Sequence, residues 1–386
     1  MGFDLGPAVD PYPVAAPTAG TLVMTGGVPD LRLVPRTALA RAYRRALAEA
    51  RPRGRSTLDH GDPQGHPRLR EALGEMLAAL RGLAAPKESV LVTRGSPMAL
   101  DLVARALIAP GDVVAIESLG YRPAWAALRA AGARLAPLPV DEHGLDVDAL
   151  VSLAARERVR AVYVTPHHQY PTTAVLSAGR RLALIELARA RRIAVIEDDY
   201  DHEFHYEGRP VLPLASADPA GVVVYLGTLS KILAPGLRLG FVVAPAPLLE
   251  KLAAIRTFID RQGDHTLERA VAELLEDGEL QRHARRARRA YLARRDALID
   301  ALGKHLGAAL TFEPPAGGMA IWARAAPGID VDAWAERALD RQVAFSTAKR
   351  FAFDGRKRGF VRLGFAALDE KELGEAVRRM AASLEA

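Results

Sequence analysis

The 386-residue chain contains no cysteine. Disulfides, thiolate metal sites and cysteine nucleophiles are therefore excluded, and the composition is compatible with a reducing compartment. Long apolar runs are missing too, none reaching the roughly 20 residues that a membrane-spanning helix needs. The opening "MGFDLGPAVDPYP" lacks the basic start and apolar centre of a secretory signal. A cytoplasmic protein is expected. Aromatic residues make up only 6%. The densest basic run, "QRHARRARRAYLARRD" (281–296), thus lacks a base-stacking series and reads as a solvated or subunit-contact helix face rather than a nucleic-acid stripe. The formal net charge of +6 is spread along the chain and permits only weak attraction to polyanions. A dinucleotide site would need a glycine fingerprint after an early strand, which "TRGSPMAL" does not supply. Histidines occur as "HH" (167–168) and within "DHEFH" (201–205), but His202 and His205 do not reproduce the H-E-x-x-H pair of a zinc hydrolase. Hydrogen-bonding histidines, and no metal, are expected.

What is present is enough apolar sequence, 49%, to bury large cores. Helical periodicity is read over 36–50 and 67–84, and from there the pattern alternates. Short β-branched runs stand at "SVLVTRG" (89–95), "DVVAIE" (112–117), "RVRAVYVTP" (158–166), "RRIAVIEDD" (191–199) and "GVVVYLG" (221–227). Helical segments such as "PMALDLVARALI", "RPAWAALRAAG" and "SAGRRLALIELARARR" lie between them. Near-continuous Val/Ile runs alternating with helices imply an α/β fold with a mainly parallel sheet covered on both faces. Ligands of such sheets sit at the carboxyl ends of the strands, which is where Ser96, Glu117, His167, His168, Asp198 and Lys231 fall. A long helical region starts near 245, and "GGMAIWARA", "FVRLGFAAL" and helices around 330–341 and 369–385 suggest a smaller α+β unit. The expected division is an N-terminal arm over 1–35, a large domain over 36–265 and a small domain over 266–386.

"TLSKILAPGLRLGF" (228–241) concentrates the chemistry. A lysine at the end of a buried strand is a nucleophile once its ammonium form is destabilised; it serves equally as a phosphate-binding or ion-paired cation. Thr228, Ser230 and Arg238 offer hydrogen bonds and positive charge to an anion beside Lys231. A cofactor bearing both an aldehyde and a phosphate uses every part of this cradle, which points to pyridoxal 5'-phosphate. Asp198 in "AVIEDDYDHEF" is a turn or cap residue or, alternatively, the partner of a pyridine nitrogen, with Tyr200 donating to the ring oxygen.

The ordered set "VTPHHQYPTT", "RRLALIELARARRIAVIEDDYDHEF" and "YLGTLSKILAPGLRLGFVVAP" resembles fold-type I pyridoxal-phosphate-dependent aminotransferases, most closely the aminotransferase-like domain of MocR-type proteins. The resemblance runs from "GGVPDLRLVP" (26–35) to "FVRLGF" (360–365). It implies that Lys231 is the Schiff-base lysine, Asp198 the ring-nitrogen partner, Tyr200 the ring-hydroxyl partner and Tyr121 the stacking aromatic. It further implies that Ser96, Pro97, Thr228, Ser230 and Arg238 surround the phosphate and that Arg362, with Gly27, receives the substrate carboxylate. A homodimer acting on amino acids and 2-oxo acids is implied, with "GGVPD" crossing toward the small domain.

Several positions depart from the family pattern. Pro97 stands where relatives commonly carry Gln, His60 where a Tyr reaches the neighbouring subunit, Tyr170 where ordinary aminotransferases have Asn, and Thr173 where Gly is usual. His168 and Gln169 are expected to compensate near the ring oxygen. MocR-type regulators carry a winged helix-turn-helix before this domain, whereas here the similarity starts almost at Met1. A free-standing enzyme is therefore expected over a regulator's effector domain cut away from its reader; a non-catalytic pyridoxal-phosphate sensor, or another pyridoxal-phosphate reaction on an amino acid, is the alternative.

Overall fold

The computed structural model describes residues 18–49, 56–208 and 211–384. Residues 1–17 of the expected N-terminal arm lie outside these. The first described element, β1 (Leu22–Val23), precedes two helices, α1 (Arg36–Ala48) and α2 (Pro67–Arg81). The alternating region then runs β2 (Val90–Thr93), α3 (Ser96–Leu107), β3 (Val113–Glu117), α4 (Arg122–Ala130), β4 (Arg134–Leu138), a short hairpin β5 (Val140–Asp141) and β6 (Gly144–Leu145), and α5 (Val147–Arg156). It continues with β7 (Val159–Val164), α6 (Ala178–Arg191), β8 (Ala194–Asp199), β9 (Val223–Thr228), β10 (Gly240–Val243) and α7 (Ala246–Thr257).

A seven-stranded sheet has the order β2-β10-β9-β8-β7-β3-β4. All neighbours pair in parallel except β10, which is antiparallel to both β2 and β9. The mainly parallel sheet expected from the Val/Ile runs is present, with β4 and β10 added to the five strands read from the sequence. Alternation along each strand divides the residues between two faces. Val114, Ile116, Tyr163, Ile196 and Leu226 pack under α3, α4 and α7, while Val113, Ala115, Val164, Val195 and Tyr225 face the other helix layer.

The chain ends with α8 (His265–Glu276), the 28-residue α9 (Glu279–Leu306), β11 (Leu310–Thr311), β12 (Ala320–Ala325), α10 (Val331–Asp340), β13 (Val343–Ala344), β14 (Ser346–Thr347), β15 (Phe360–Gly364) and α11 (Glu370–Leu384). A four-stranded sheet β11-β12-β15-β14 shares a core with α10 and α11, including Trp334, Val361, Leu363 and Met380. The expected division after residue 265 does not coincide with a break between cores. Ala270, Val271 and Leu274 of α8 pack with Ala42, Leu69 and Val92, and Leu280 at the start of α9 joins them. Later α9 residues, Tyr291, Leu298 and Leu302, belong to the core of the four-stranded sheet. Helix α9 thus spans both cores.

The arginines of α9 differ from a purely solvated face. Arg294 is buried and pairs with Asp30 at 2.8 Å, while Tyr291 Oη accepts from the Asp30 backbone N–H at 2.9 Å. Together with parallel pairing of β1 on β13, these contacts fix the segment that carries Gly26 and Gly27. No described helix is long and apolar enough to cross a membrane.

Candidate active site

Strand β8 shows how one run of acids acquires separate roles. Successive side chains point to opposite faces, so Glu197 and Asp199 share one face and Asp198 takes the other. Glu197 accepts from the backbone N–H groups of Leu214 and Ala215 at 2.7 and 2.9 Å. Asp199 Oδ2 accepts from Tyr225 Oη at 2.7 Å, lies 2.9 Å from His202 Nδ1 and faces the buried Arg81 guanidinium at 3.6 Å. Both acids lock the strand end. Asp198 accepts from Tyr163 Oη through Oδ2 at 2.8 Å, and its buried Oδ1 has no partner. Burial raises its pKa to about 6 against the opposing hydrogen bond from Tyr163.

Asp198 opens into a cavity of about 250 Å³ at the carboxyl ends of β2, β3, β7, β8 and β9. Its walls bring together Gly27, Ser96, Pro97, Tyr121, Tyr170, Asp198, Tyr200, Thr228, Ser230, Lys231 and Arg238. Lys231 keeps some accessible surface because it lines this cavity, yet its amine is enclosed by protein. Burial first, then the nearby Arg362 charge, lowers the ammonium pKa to about 8. Nζ donates to the Gly27 carbonyl at 2.5 Å, so the N-terminal segment closes directly over the amine. The lysine is the enclosed, easily deprotonated base that a nucleophile requires.

At the opposite end, Ser96 begins α3 and offers a helix N-terminus. Gly95 precedes it with φ +77, and a Cβ there would lie 2.8 Å from Arg238 Nη2. Arg238 itself donates to the Arg94 carbonyl at 3.0 Å and holds a left-handed φ of 52. Thr228 Oγ1 accepts from the Ser230 N–H at 3.1 Å, which shapes the turn between β9 and Lys231. Pro97 lies at the second helical position and removes one N–H from this end.

Tyr121 and Tyr170 meet edge to face with centroids 5.7 Å apart, and Tyr170 also makes an edge contact with Tyr200 at 5.9 Å. Burial holds the Tyr200 phenol well above its usual range, so it is a donor at neutral pH. Arg362 does not line the cavity itself. It stands behind Gly26 and Tyr170, with its Cζ 4.9 Å from the Tyr170 ring centroid and Nε donating to the Pro171 carbonyl at 3.3 Å. Its buried Nη1 has no partner. Gly26 has φ +91, and a Cβ on it would come 2.0 Å from that Nη1, so only glycine leaves the guanidinium its place.

Two expectations fail. His168 is outside the cavity: its Nδ1 lies 2.8 Å from Asp201 Oδ1 and its ring packs against Gly317 on the far side of the loop. Gln169 also points away, donating to the Leu119 and Tyr170 carbonyls at 2.8 and 2.7 Å and receiving Thr172 Oγ1 at 2.7 Å. It organises the loop that presents Tyr170. His60 is exposed and does not line the cavity. Thr173 keeps a left-handed φ of 65, the conformation that the family's glycine supplies without cost.

Residues missed in the sequence include Tyr163, Thr165 and Pro235, which line the same cavity as Val28 of the expected "GGVPD" segment. Thr165 Oγ1 donates to Glu117 Oε2 at 2.7 Å and accepts from the Tyr170 N–H at 2.9 Å. Burial raises the Glu117 pKa to about 7. The position of Tyr163 and Thr165 at the end of "VYVTP" was the available signal.

The family model for aminotransferase class I and II matches residues 31–380. The chain is 33% identical over 369 residues to the 2-aminoadipate transaminase of Thermus thermophilus, covering 95% of this chain and 90% of that protein. It is 32% identical over 354 residues to the probable rhizopine catabolism regulatory protein MocR of Rhizobium meliloti, covering 92% and 70% respectively. Among solved structures, the α-aminoadipate aminotransferase of Thermus thermophilus, complexed with N-(5'-phosphopyridoxyl)-L-leucine, superimposes with a TM-score of 0.87 at 32% identity, covering 95% of this chain and 92% of that one. With the family model spanning most of its length and the seven-stranded fold shared, the chain belongs to the class I and II aminotransferases, of fold type I.

Proposed function

We propose that the protein moves an amino group from an amino acid to a 2-oxo acid with pyridoxal 5'-phosphate. The observation that carries this reading is one cavity bounded by an enclosed amine of lowered pKa, Lys231, and the unpaired Oδ1 of Asp198, with the unpaired Nη1 of Arg362 just behind its wall. These residues fit the cofactor. Asp198 Oδ1 would hold the ring N–H, Tyr200 the ring oxygen and Tyr121 the ring face, while Ser96, Thr228, Ser230 and Arg238 would hold the phosphate at the α3 N-terminus.

When bound, the cofactor supplies an aldehyde for the substrate amine and a conjugated ring that accepts the electrons of the broken Cα–H bond. The protein's part is proton management and orientation. Lys231 Nζ, whose pKa is lowered to about 8, would take the Cα proton and return it to the cofactor's C4' carbon, two bonds away across the nitrogen. The Arg362 guanidinium, with the Gly27 backbone beside Lys231, would orient the substrate carboxylate through charge-assisted hydrogen bonds. Tyr121 and Tyr170 cover the cavity and exclude water.

The proposal includes two architectural elements: a large unit holding the cavity and a small one holding Arg362, divided along α9, and a homodimer. A wide cleft of about 920 Å³, lined by Arg36, Tyr43, Arg94 and Leu267, shares Arg238 with the cavity and supports a second copy at this face. Exposed Leu58, which shares a surface cleft with His60, supports the same. The test is the absorbance of the cofactor-loaded protein through a panel of amino acids and then 2-oxoglutarate. Conversion by a donor and recovery by the oxo acid are expected. A bound cofactor that no donor converts would leave a sensor, or a different pyridoxal-phosphate reaction, in its place.

A further inference from the structure

Behind the cavity, the fold joins two histidine pairs that are distant in sequence. His167 and His168 follow β7, whereas His202 and His205 follow β8. Because β7 and β8 are parallel neighbours, their C-terminal loops leave the sheet side by side. The His167 ring centroid lies 4.4 Å from that of His168, 4.5 Å from His202 and 6.2 Å from His205.

The hydrogen bonds within this cluster leave a surplus of lone pairs. His168 uses Nδ1 toward Asp201, and His202 uses Nδ1 toward Asp199. Both nitrogens of His167, both of His205 and the Nε2 atoms of His168 and His202 have no protein partner. His167, His168 and His202 are 3%, 2% and 5% exposed, so these nitrogens are also withdrawn from bulk water. Buried polar atoms without partners are costly, and six in one place call for a ligand.

We propose that His167, His168 and His205 bind one divalent d-block cation of the Zn²⁺ type. One nitrogen from each lies within 4.8 Å of the others. Tetrahedral Zn–N bonds of about 2.0–2.1 Å place ligand nitrogens roughly 3.4 Å apart, a closure within reach of modest imidazole rotations. Asp201 is already in the position of the carboxylate that orients a ligating imidazole, since it holds His168 Nδ1 and leaves Nε2 for the ion. Asp199 and Asp201 bring compensating negative charge. His167, Asp199 and His202 form an overlapping set on the other side of His167, which makes one ion per chain the expected stoichiometry. His205 is half-buried and provides the entry path from solvent. The ion would clasp the loop bearing Tyr170 to the segment following Tyr200, a structural role apart from the reacting atoms.

The experiment uses the cofactor-loaded protein after treatment with a chelator and dialysis. Co²⁺ is titrated by visible absorption, and Zn²⁺ by calorimetry and thermal melting. Uptake of one equivalent of Co²⁺ with the intense bands of a four-coordinate site, displacement by Zn²⁺ and a rise in melting temperature with Zn²⁺ are expected. His205→Ala and His167→Gln should each weaken binding at least tenfold, and Asp201→Asn by about 10- to 100-fold. His205 is only half-buried, so its variant keeps the fold and decides the matter if the His167 variant does not fold. Absence of the Co²⁺ bands, or binding that His205→Ala leaves unchanged, overturns the proposal.

Discussion

Tyr163 Oη donates a 2.8 Å hydrogen bond to Asp198 Oδ2, while Oδ1 of the same carboxylate is buried without a partner. One oxygen is fixed by the strand next door, and the other is left unpaired in a side chain that lines the cavity. The Tyr163 hydrogen bond opposes the burial that raises Asp198 to about 6. Tyr163→Phe should therefore raise that pKa further and leave less carboxylate at pH 7. A hydrogen bond to a charged group contributes about 1.5–3 kcal/mol, so the amino-donor half-reaction is expected to slow by roughly tenfold or more. Stopped-flow absorbance checks this, and an unchanged rate would show that Asp198 does not depend on Tyr163.

Lys231 sets a pH dependence. Its lowered pKa means that the nucleophilic, neutral amine accumulates as the pH rises through about 8. Covalent capture of pyridoxal phosphate by the cofactor-free protein should accelerate with pH up to that point and level off above it. Arg362→Met removes a neighbouring positive charge that destabilises the ammonium, so the profile should move to higher pH. Lys231→Ala should fold but yield no cofactor adduct after borohydride reduction, read by mass spectrometry. A retained adduct would refute the assignment.

Arg362 and Gly26 form a second testable pair. Arg362→Lys keeps the charge but loses the planar fork, and KM for the amino acid should rise about 10- to 100-fold. Gly26→Ala places a Cβ 2.0 Å from Nη1 and demands a left-handed backbone, so it should displace the guanidinium and reproduce the same loss. If Gly26→Ala leaves KM untouched in steady-state kinetics, the guanidinium position does not control carboxylate binding.

Thr173 offers a stability test away from the chemistry. A β-branched residue at φ 65 is strained by about 1–2 kcal/mol. Thr173→Gly removes the strain but adds unfolded-state freedom, for a net gain expected near 1 kcal/mol. Urea unfolding would expose the opposite sign as a loss of stability.

Much of the fold was legible in the sequence because parallel strands buried on both faces leave uninterrupted Val/Ile runs. Strands β4 and β10 were less visible: β4 is partly exposed and contains Pro137, and β10 directly follows the Lys231 turn. Asp198 and Lys231 stood out in the sequence because each follows an apolar strand run, and Arg238 because it lies in the turn after Lys231.

Other features required tertiary structure. Which face of β8 each acid takes follows from alternation, but the partner it meets there depends on neighbouring strands, and Tyr163 is contributed by β7. His168 was expected beside the cofactor and instead turns to Asp201, because the loop after β7 sends it to the other side. Sequence spacing also kept His167-His168 apart from His202 and His205. Residue types and their order along the chain were sufficient to read the elements and to single out Lys231 as a candidate. The parallel pairing of β7 and β8 decided which side chains from separate loops share a buried space, since proximity across strands has no counterpart in local spacing.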